Sequence, residues 1–291
     1  MIHKIILGTV QLGLDYGVNN TKGKPSLEEA FDILTVAYDS GIRILDTAEA
    51  YGDSQKVIGE FHRLFPQKKF NIVTKLSANK KLRKDQFLAH IKNNCKILCC
   101  DSLYGYMFHN YESFKDNINL YETILEAKKT GIIKKVGVSL YDNQEVEDII
   151  TNYPEFDLIQ IPFNLLDNEY IRKPILDKAK QNNIEVHTRS VFLQGLFFKE
   201  IDKLSVNIFP LQVYIKKLKE ISLTNNIKIE SLALQYALQK NYIDYVLIGV
   251  DTPEQLKTNI LNSKNCLMIP HELIDSIHVK EKKMLNPSNW N

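Results

Sequence analysis

Eight short β-branched or aliphatic runs alternate with longer segments of helical periodicity along the 291-residue chain, and this alternation restricts the fold more than any other feature. The runs are KIILGT (4–9), IRILDTA (42–48), FNIVTKL (70–76), LYGYMFH (103–109), IKKVGVS (133–139), FDLIQIPF (156–163), IEVHTRS (184–190) and DYVLIGV (244–250). The segments between them include SLEEAFDILTVAYDSG (26–41) and NLYETILEAKKTG (119–131), with apolar residues three and four apart and a closing glycine suited to a helix C-cap. Eight βα units in series predict a single-domain (β/α)8 barrel over residues 1–291 rather than an open doubly wound sheet, and no G-x-G-x-x-G follows the first run. Two helices are expected after the seventh strand, in FPLQVYIKKLKEISLTNN (209–226) and IESLALQYALQK (229–240). A tail ending MLNPSNWN is expected beyond the eighth helix.

Hydrophobic residues at 44% and charged residues at 25% allow one sizeable core and argue against disorder. Thirty-seven basic residues nearly balance thirty-five acidic ones, so neither nucleic acid nor an anionic membrane is an expected partner. No stretch approaches the roughly 20 apolar residues of a membrane span, and no leader pattern opens the chain, which makes the cytoplasm the expected location. Oligomeric state is not legible. Cys95, Cys99, Cys100 and Cys266 follow neither metal-site nor disulfide-framework spacing and are expected as reduced core thiols.

In a parallel barrel the carboxyl ends of the strands share one face, and active sites form there. Asp46 ends the second run, Lys75 lies near the end of the third, His109 ends the fourth, and Tyr51 follows in the loop after the second. An Asp-Thr pair is often a helix cap, a lone lysine is usually solvated, and a lone histidine is often structural. Their joint occurrence at three successive strand ends favours a site. A lysine beside a phenol is expected to lower the tyrosine pKa, with a carboxylate keeping the lysine charged. The phenol then serves as general acid and the histidine holds a carbonyl, which suits carbonyl reduction by hydride from a bound donor.

DTAEAYG, the TK of NIVTK and the histidine of YMFHN resemble the tetrad motifs of the aldo-keto reductases. The resemblance runs from LGTVQLGLDYG to IGVDTPEQLKTN and implies a barrel with NADPH or NADH across its top and reversible reduction of an aldehyde or ketone. Carried over by position, it makes Asp46, Tyr51, Lys75 and His109 the tetrad, with Tyr51 as proton donor. It places Gly8 and Thr9 near the nicotinamide, and Ser139 and Gln160 on its carboxamide, with Leu140 where asparagine is frequent. Arg189 stands where many members put an aromatic ring, and its planar guanidinium can also stack. Ser190, Leu193 and Gly195 line the implied diphosphate path, Gly249 lies near the phosphates, and Gln255 and Asn259 face the adenine end.

Thr252, Pro253 and Gln255 also form a capping-box pattern. Asp251 stands where NADP-dependent members often carry a small hydroxyl residue. A carboxylate there repels a 2′-phosphate and accepts a hydrogen bond from a free 2′-hydroxyl, so NADH is expected to be used at least as well as NADPH. Lys199 and Lys203 are the residues that could reverse this by clamping the phosphate. Substrate-side candidates are Tyr16, Tyr51, Phe163, Asn164 and Trp290, the last more readily a cap on the core than a ligand contact. LGTVQLGLDYGVNN, RSVFLQGLF and NPSNW look most similar to the bacterial branch associated with surface-polysaccharide and nucleotide-sugar pathways. The rival reading is a nicotinamide-binding regulatory or scaffold protein; a metal-dependent hydrolase lacks the ligand cluster it needs.

Overall fold

The structure is a computed structural model describing residues 1–17, 20, 22–265 and 267–290. All eight runs form strands: β1 Ile5–Gly8, β2 Ile44–Asp46, β3 Asn71–Leu76, β4 Leu103–Phe108, β5 Ile133–Ser139, β6 Leu158–Pro162, β7 Glu185–Arg189 and β8 Tyr245–Ile248. They pair in parallel in sequence order and close through β1 and β8, giving the expected (β/α)8 barrel. The helices that return the chain are α1 Leu27–Asp39, α2 Ser54–Leu64, α3 Lys84–Ile97, α4 Tyr111–Asp116, α5 Tyr121–Lys129, α6 Asn143–Asn152 and α7 Glu169–Gln181. After β7 come α8 Gln212–Thr224 and α9 Ile229–Leu238, and after β8 come α10 Pro253–Lys264 and α11 His271–Asp275. Among the described residues no helix is long and apolar enough to cross a membrane.

Local chemistry explains the helix ends. Ser26 Oγ accepts the Glu29 amide while Glu29 returns its carboxylate to the Ser26 amide, a reciprocal cap that starts α1. The α1 face Ala30, Ile33, Leu34 and Ala37 is buried at helical spacing. Gly41 at φ 99° and Gly131 at φ 81° close α1 and α5, as the closing glycines predict. The segment from Phe209 begins as a 3-10 turn through Leu211, and the regular helix starts at Gln212. The β4–β5 connection holds the additional short helix α4, started by Asn110, whose side chain accepts the Ser113 amide.

Strand period places the site. Ile6, Ile44, Val73, Met107 and Leu158 form one apolar layer inside the barrel. Two residues later in each chain stand Gly8, Asp46, Lys75, His109 and Gln160, on the same inward face and one step nearer the C-terminal mouth. A dry layer therefore floors a polar one.

The tail turns back on the barrel. Trp290 is 8% exposed and donates its Nε1–H to the Met284 carbonyl at 2.8 Å, while Asn207 donates to the Trp290 carbonyl. Trp290 thus packs on the core. Cys95 is a buried thiol, but Cys99 and Cys100 are only partly buried, because they lie at the frayed end of α3 where the chain turns through Cys99 at φ 50°. Cys266 lies outside the described residues.

Candidate active site

Four expected residues converge at the mouth. Lys75 Nζ donates to Asp46 Oδ1 at 2.5 Å and to the Thr47 carbonyl at 3.2 Å, and its ammonium stands 5.2 Å from the centroid of the Tyr51 ring. The Tyr51 and His109 rings meet edge to face with centroids 6.0 Å apart. Asp46 and Lys75 are 2% and 1% exposed, so this ion pair sits in a poorly screened environment. The second Asp46 oxygen is held by Gln160, whose Nε2 donates to it at 2.8 Å. Every carboxylate oxygen has a partner.

Burial is the largest influence on Tyr51, Lys75 and His109. It pushes the Tyr51 phenol above its ordinary pKa, and the neighbouring Lys75 only partly offsets that rise. The expected lowering of the Tyr51 pKa is therefore corrected: desolvation of the phenolate outweighs attraction to the lysine. Tyr51 is fully protonated at neutral pH, the form a proton donor requires. Burial also works to lower the Lys75 pKa, but Asp46, aided by Tyr51, outweighs it and holds the ammonium charged. Burial and then Lys75 push His109 down to about 4, so its imidazole is neutral at physiological pH. Its buried Nδ1 has no partner within the described protein.

The loop carrying Tyr51 is fixed by features that strand-end reading missed. A methyl group on Gly13 would overlap the Tyr51 carbonyl oxygen, and one on Gly52, at φ 52°, would overlap the Gly13 carbonyl. The loops after β1 and β2 therefore pack backbone against backbone. Glu49 accepts from Asn94 Nδ2 at 3.1 Å and Tyr106 Oη at 3.0 Å, and pairs with His90 Nε2 at 2.6 Å, tying the same loop to α3 and β4. The glycines in LGTVQLG and AYG carried this signal. Glu49, in DTAEAYG, reads as an ordinary solvated loop residue until the fold brings α3 alongside.

The cofactor candidates divide. Ser139 and Gln160 are register partners at adjacent strand ends, both buried, and Arg189 pairs with Pro162 beside them. Gln160 Nε2 is engaged by Asp46, which leaves its carbonyl oxygen for a ligand. Leu140 is a fully buried aliphatic side chain, so the position where asparagine is frequent offers no amide here. Thr9 differs from expectation: its hydroxyl donates to the Asp46 carbonyl at 2.9 Å and accepts from Ser54 at 2.8 Å, so it braces β2 instead of facing a ligand. Gly8 lies next to Asp46 with Leu247 and the Ile248 carbonyl close by, and a side chain there would crowd both.

Beyond β7 the backbone takes left-handed angles at Ser190 (φ 61°), Leu193 (46°), Gln194 (54°) and Gly195 (85°). Leu193 is fully buried, so only its backbone can meet a ligand. Gly249 packs against the Gln11 side chain, whose buried Oε1 has no partner among the described residues. Thr252 caps α10 by accepting the Gln255 amide at 3.2 Å. The reciprocal half of the capping box is shifted, because Gln255 Oε1 accepts from the Asp251 amide at 2.8 Å. Asp251 Oδ1 is buried without a partner, burial raises its pKa, and Asn259 is buried one turn along α10. These unpaired atoms, the α10 N-terminus and the left-handed loop fit an elongated polar cofactor with phosphates.

Two substrate candidates move away from the mouth. Phe163 is fully buried and stacks on Tyr236 at 5.4 Å, because it follows the inward Pro162 and so faces the helices. Asn164 is also buried, its Oδ1 accepting the Leu166 and Asp167 amides to fold its own turn. Tyr16 stays near the mouth, where its hydroxyl accepts from Gln194 Nε2 at 3.0 Å and joins the loops after β1 and β7. The Lys199 carbonyl accepts from Lys219, and the Lys203 side chain lies outside what the structure describes.

Known proteins resemble this chain along most of its length. The model of the aldo/keto reductase family matches residues 4–275. An NADH-specific methylglyoxal reductase of Escherichia coli is 22% identical over 290 residues, covering 87% of each chain. A D-threo-aldose 1-dehydrogenase of a Pseudomonas species is 23% identical over 292 residues, covering 84% of this chain and 87% of that one. An aldo-keto reductase of Bacillus halodurans, solved in its holo form, superposes with a TM-score of 0.74 at 19% identity over 96% of this chain and 95% of that one. With the closed barrel and the polar layer at its mouth, the chain belongs to the aldo/keto reductase family and is an NAD(P)-dependent oxidoreductase.

Proposed function

We propose that the chain reduces an aldehyde or ketone to an alcohol, with Tyr51 giving the proton to the carbonyl oxygen. The observation that carries this reading is the convergence of a protonated phenol, a buried Lys75–Asp46 pair and a neutral imidazole on one mouth. A bound nicotinamide supplies the hydride. Ser139 and the Gln160 carbonyl oxygen hold its carboxamide, the loop from Ser190 to Gly195 and the α10 N-terminus face its phosphates, and Asp251, Gln255 and Asn259 face its adenosine. Neutral His109 hydrogen-bonds the substrate carbonyl and orients it. As the proton leaves Tyr51, Lys75 balances the phenolate, and Asp46 with Gln160 keeps Lys75 in place.

Asp251 supports NADH as a cofactor used at least as well as NADPH, since its unpartnered Oδ1 suits a ribose hydroxyl better than a second anion. An oxygenated, sugar-like carbonyl is the substrate reading favoured by the aldose dehydrogenase likeness, and a nucleotide-sugar carbonyl rests on the resemblance of LGTVQLGLDYGVNN, RSVFLQGLF and NPSNW alone. Two measurements test the whole. Tyr51→Phe should bind cofactor as the wild type does and lose about 10²- to 10⁴-fold in turnover, the range of a missing general acid; retained turnover removes Tyr51 from the role. Fluorescence titration with both cofactors tests the Asp251 argument, which a hundredfold preference for NADPH would sink.

A further inference from the structure

Cys95 and Cys100 face each other across the turn that ends α3. The Cys100 amide donates to the Cys95 carbonyl at 3.1 Å, the Cys99 amide donates to the Lys96 carbonyl at 3.3 Å, and Cys99 takes a left-handed φ of 50°. These nested bonds form a helix C-cap that brings the side chains of its outer two residues together, and here both are cysteines. With standard backbone dimensions the outer bond holds the two Cα atoms to about 7 Å or less, within the reach of a disulfide. Each of the two thiols is a side-chain hydrogen-bond partner of the other. Cys99 is engaged elsewhere, its Sγ donating weakly to the Lys96 carbonyl at 3.7 Å.

The turn is held in place by α2. Buried His62 accepts the Phe70 amide at Nε2, 3.1 Å, and so donates from Nδ1 to the Leu98 carbonyl at 2.8 Å. A methyl group on Gly59 would overlap the Ile97 carbonyl oxygen, so α2 meets the last turn of α3 backbone against backbone. The fold thus sets the two thiols together before any reaction. Cys95 is 6% exposed and Cys100 is partly buried. Its contact with the Cys100 thiol lowers the Cys95 pKa against the opposing effect of burial, while the same contact and then burial raise that of Cys100. Cys95 is the readier thiolate of the pair.

We infer that Cys95 and Cys100 are a reversible redox pair, which a peroxide converts to a disulfide that clips the end of α3. The Cys95 thiolate attacks one peroxide oxygen, the O–O bond breaks, and Cys95 becomes a sulfenic acid as hydroxide leaves and takes up the proton that Cys95 had lost. The Cys100 sulfur then attacks the Cys95 sulfur, the S–O bond breaks, and the Cys100 proton departs with the leaving oxygen as water. Two thiols lose two electrons and one peroxide becomes two waters. A dithiol reductant reverses the bond by exchange. The clip lies on the helix whose His90 and Asn94 hold Glu49, and it stands independently of the reductase reading.

Peptide mapping reads the linkage directly. The folded protein is treated with hydrogen peroxide, blocked with N-ethylmaleimide and digested with trypsin without reduction; cleavage after Lys96 separates Cys95 from Cys99 and Cys100. The Cys95 peptide should emerge joined to the peptide carrying Cys99 and Cys100, and dithiothreitol should release it. The joined pair should persist in Cys99→Ser and vanish in Cys100→Ser. Oxidation should also raise the thermal midpoint of the wild type by a few degrees, a shift absent from Cys100→Ser.

Absence of the joined pair, a pair that survives in Cys100→Ser, or a link from Cys95 to Cys266 overturns the inference. A link that forms only in denaturant overturns it equally, because the fold then does not set the thiols together. A joined pair with an unchanged thermal midpoint overturns the claim that the bond clips α3.

Discussion

Gln160, at the end of β6, donates its side-chain amide to the Asp46 oxygen that Lys75 leaves free, at 2.8 Å across the barrel mouth. A glutamine expected on the cofactor is thereby also bonded into the buried Asp46–Lys75 pair beside the proposed proton donor. Gln160→Leu should strip one partner from a buried carboxylate and cost about 1–3 kcal/mol of stability by urea denaturation. The same change should lower turnover, since the Asp46 carboxylate that positions Lys75 beside Tyr51 loses one of its two anchors. A stability and a turnover both unchanged would show the bond to be incidental.

His109 gives a pH signature with a definite sign. Its folded pKa is depressed to about 4 from an ordinary value near 6.5, by burial first and by Lys75 next. The unfolded chain thus binds this proton at a higher pH than the native one does, so the His109 contribution to stability is lost as pH falls from about 6.5 toward 4. His109→Gln should flatten that part of the stability curve, and imidazole resonances followed by NMR should show one histidine titrating near pH 4. Titration of His109 near 6.5 would contradict the burial argument.

Gly13→Ala tests how tightly Tyr51 is placed. The added methyl would overlap the Tyr51 carbonyl oxygen, so the loop must shift. A displacement near 1 Å can cost about 10²-fold in turnover. The expected outcome is a large fall in kcat with cofactor affinity retained, measured by steady-state kinetics and fluorescence titration. Gly131→Ala is the contrast: its φ is positive where that of Gly13 is not, but open space surrounds it, so it should lower stability without that loss of kcat.

Glu49 makes a second, independent claim on the same loop. Burial alone would raise its pKa, but His90, Lys80 and Tyr106 together outweigh it and hold the carboxylate below its usual range. That contribution is present above the unfolded pKa and fades as pH falls through the lower folded value. Glu49→Gln should therefore lose more stability relative to wild type at pH 7 than at pH 4, read from thermal midpoints at both. An identical difference at the two pH values would remove the charge from the explanation.

The barrel was legible because each of its eight strands is a compact apolar run bounded by polar segments, and helix faces such as Ala30, Ile33, Leu34 and Ala37 keep their period. Asp46, Lys75 and His109 were legible because each breaks an apolar run at its carboxyl end. Phe163 misled because strand parity, not proximity to a strand end, decides which side chain enters the barrel, and Asn164 because its side chain is taken up by the Leu166 and Asp167 amides of its own turn. Thr9, Glu49 and Gln160 acquired partners 37 or more positions away in sequence for most of their contacts, which no local pattern encodes. The direction of the Tyr51 pKa depended on depth of burial, a property of the folded chain alone.

The barrel also divides by origin. Asp46, Tyr51, Lys75 and His109 all come from the stretch that ends at the residue after β4, whereas most residues proposed to hold the cofactor come from β5 onward. Recombining this chain with relatives at a crossover between Asn110 and Ile133 would exchange cofactor choice while inheriting proton delivery whole. Gln160 is the exception, since its bond to Asp46 spans the seam, and a chimera that omits a glutamine there would inherit a carboxylate with one oxygen unanswered.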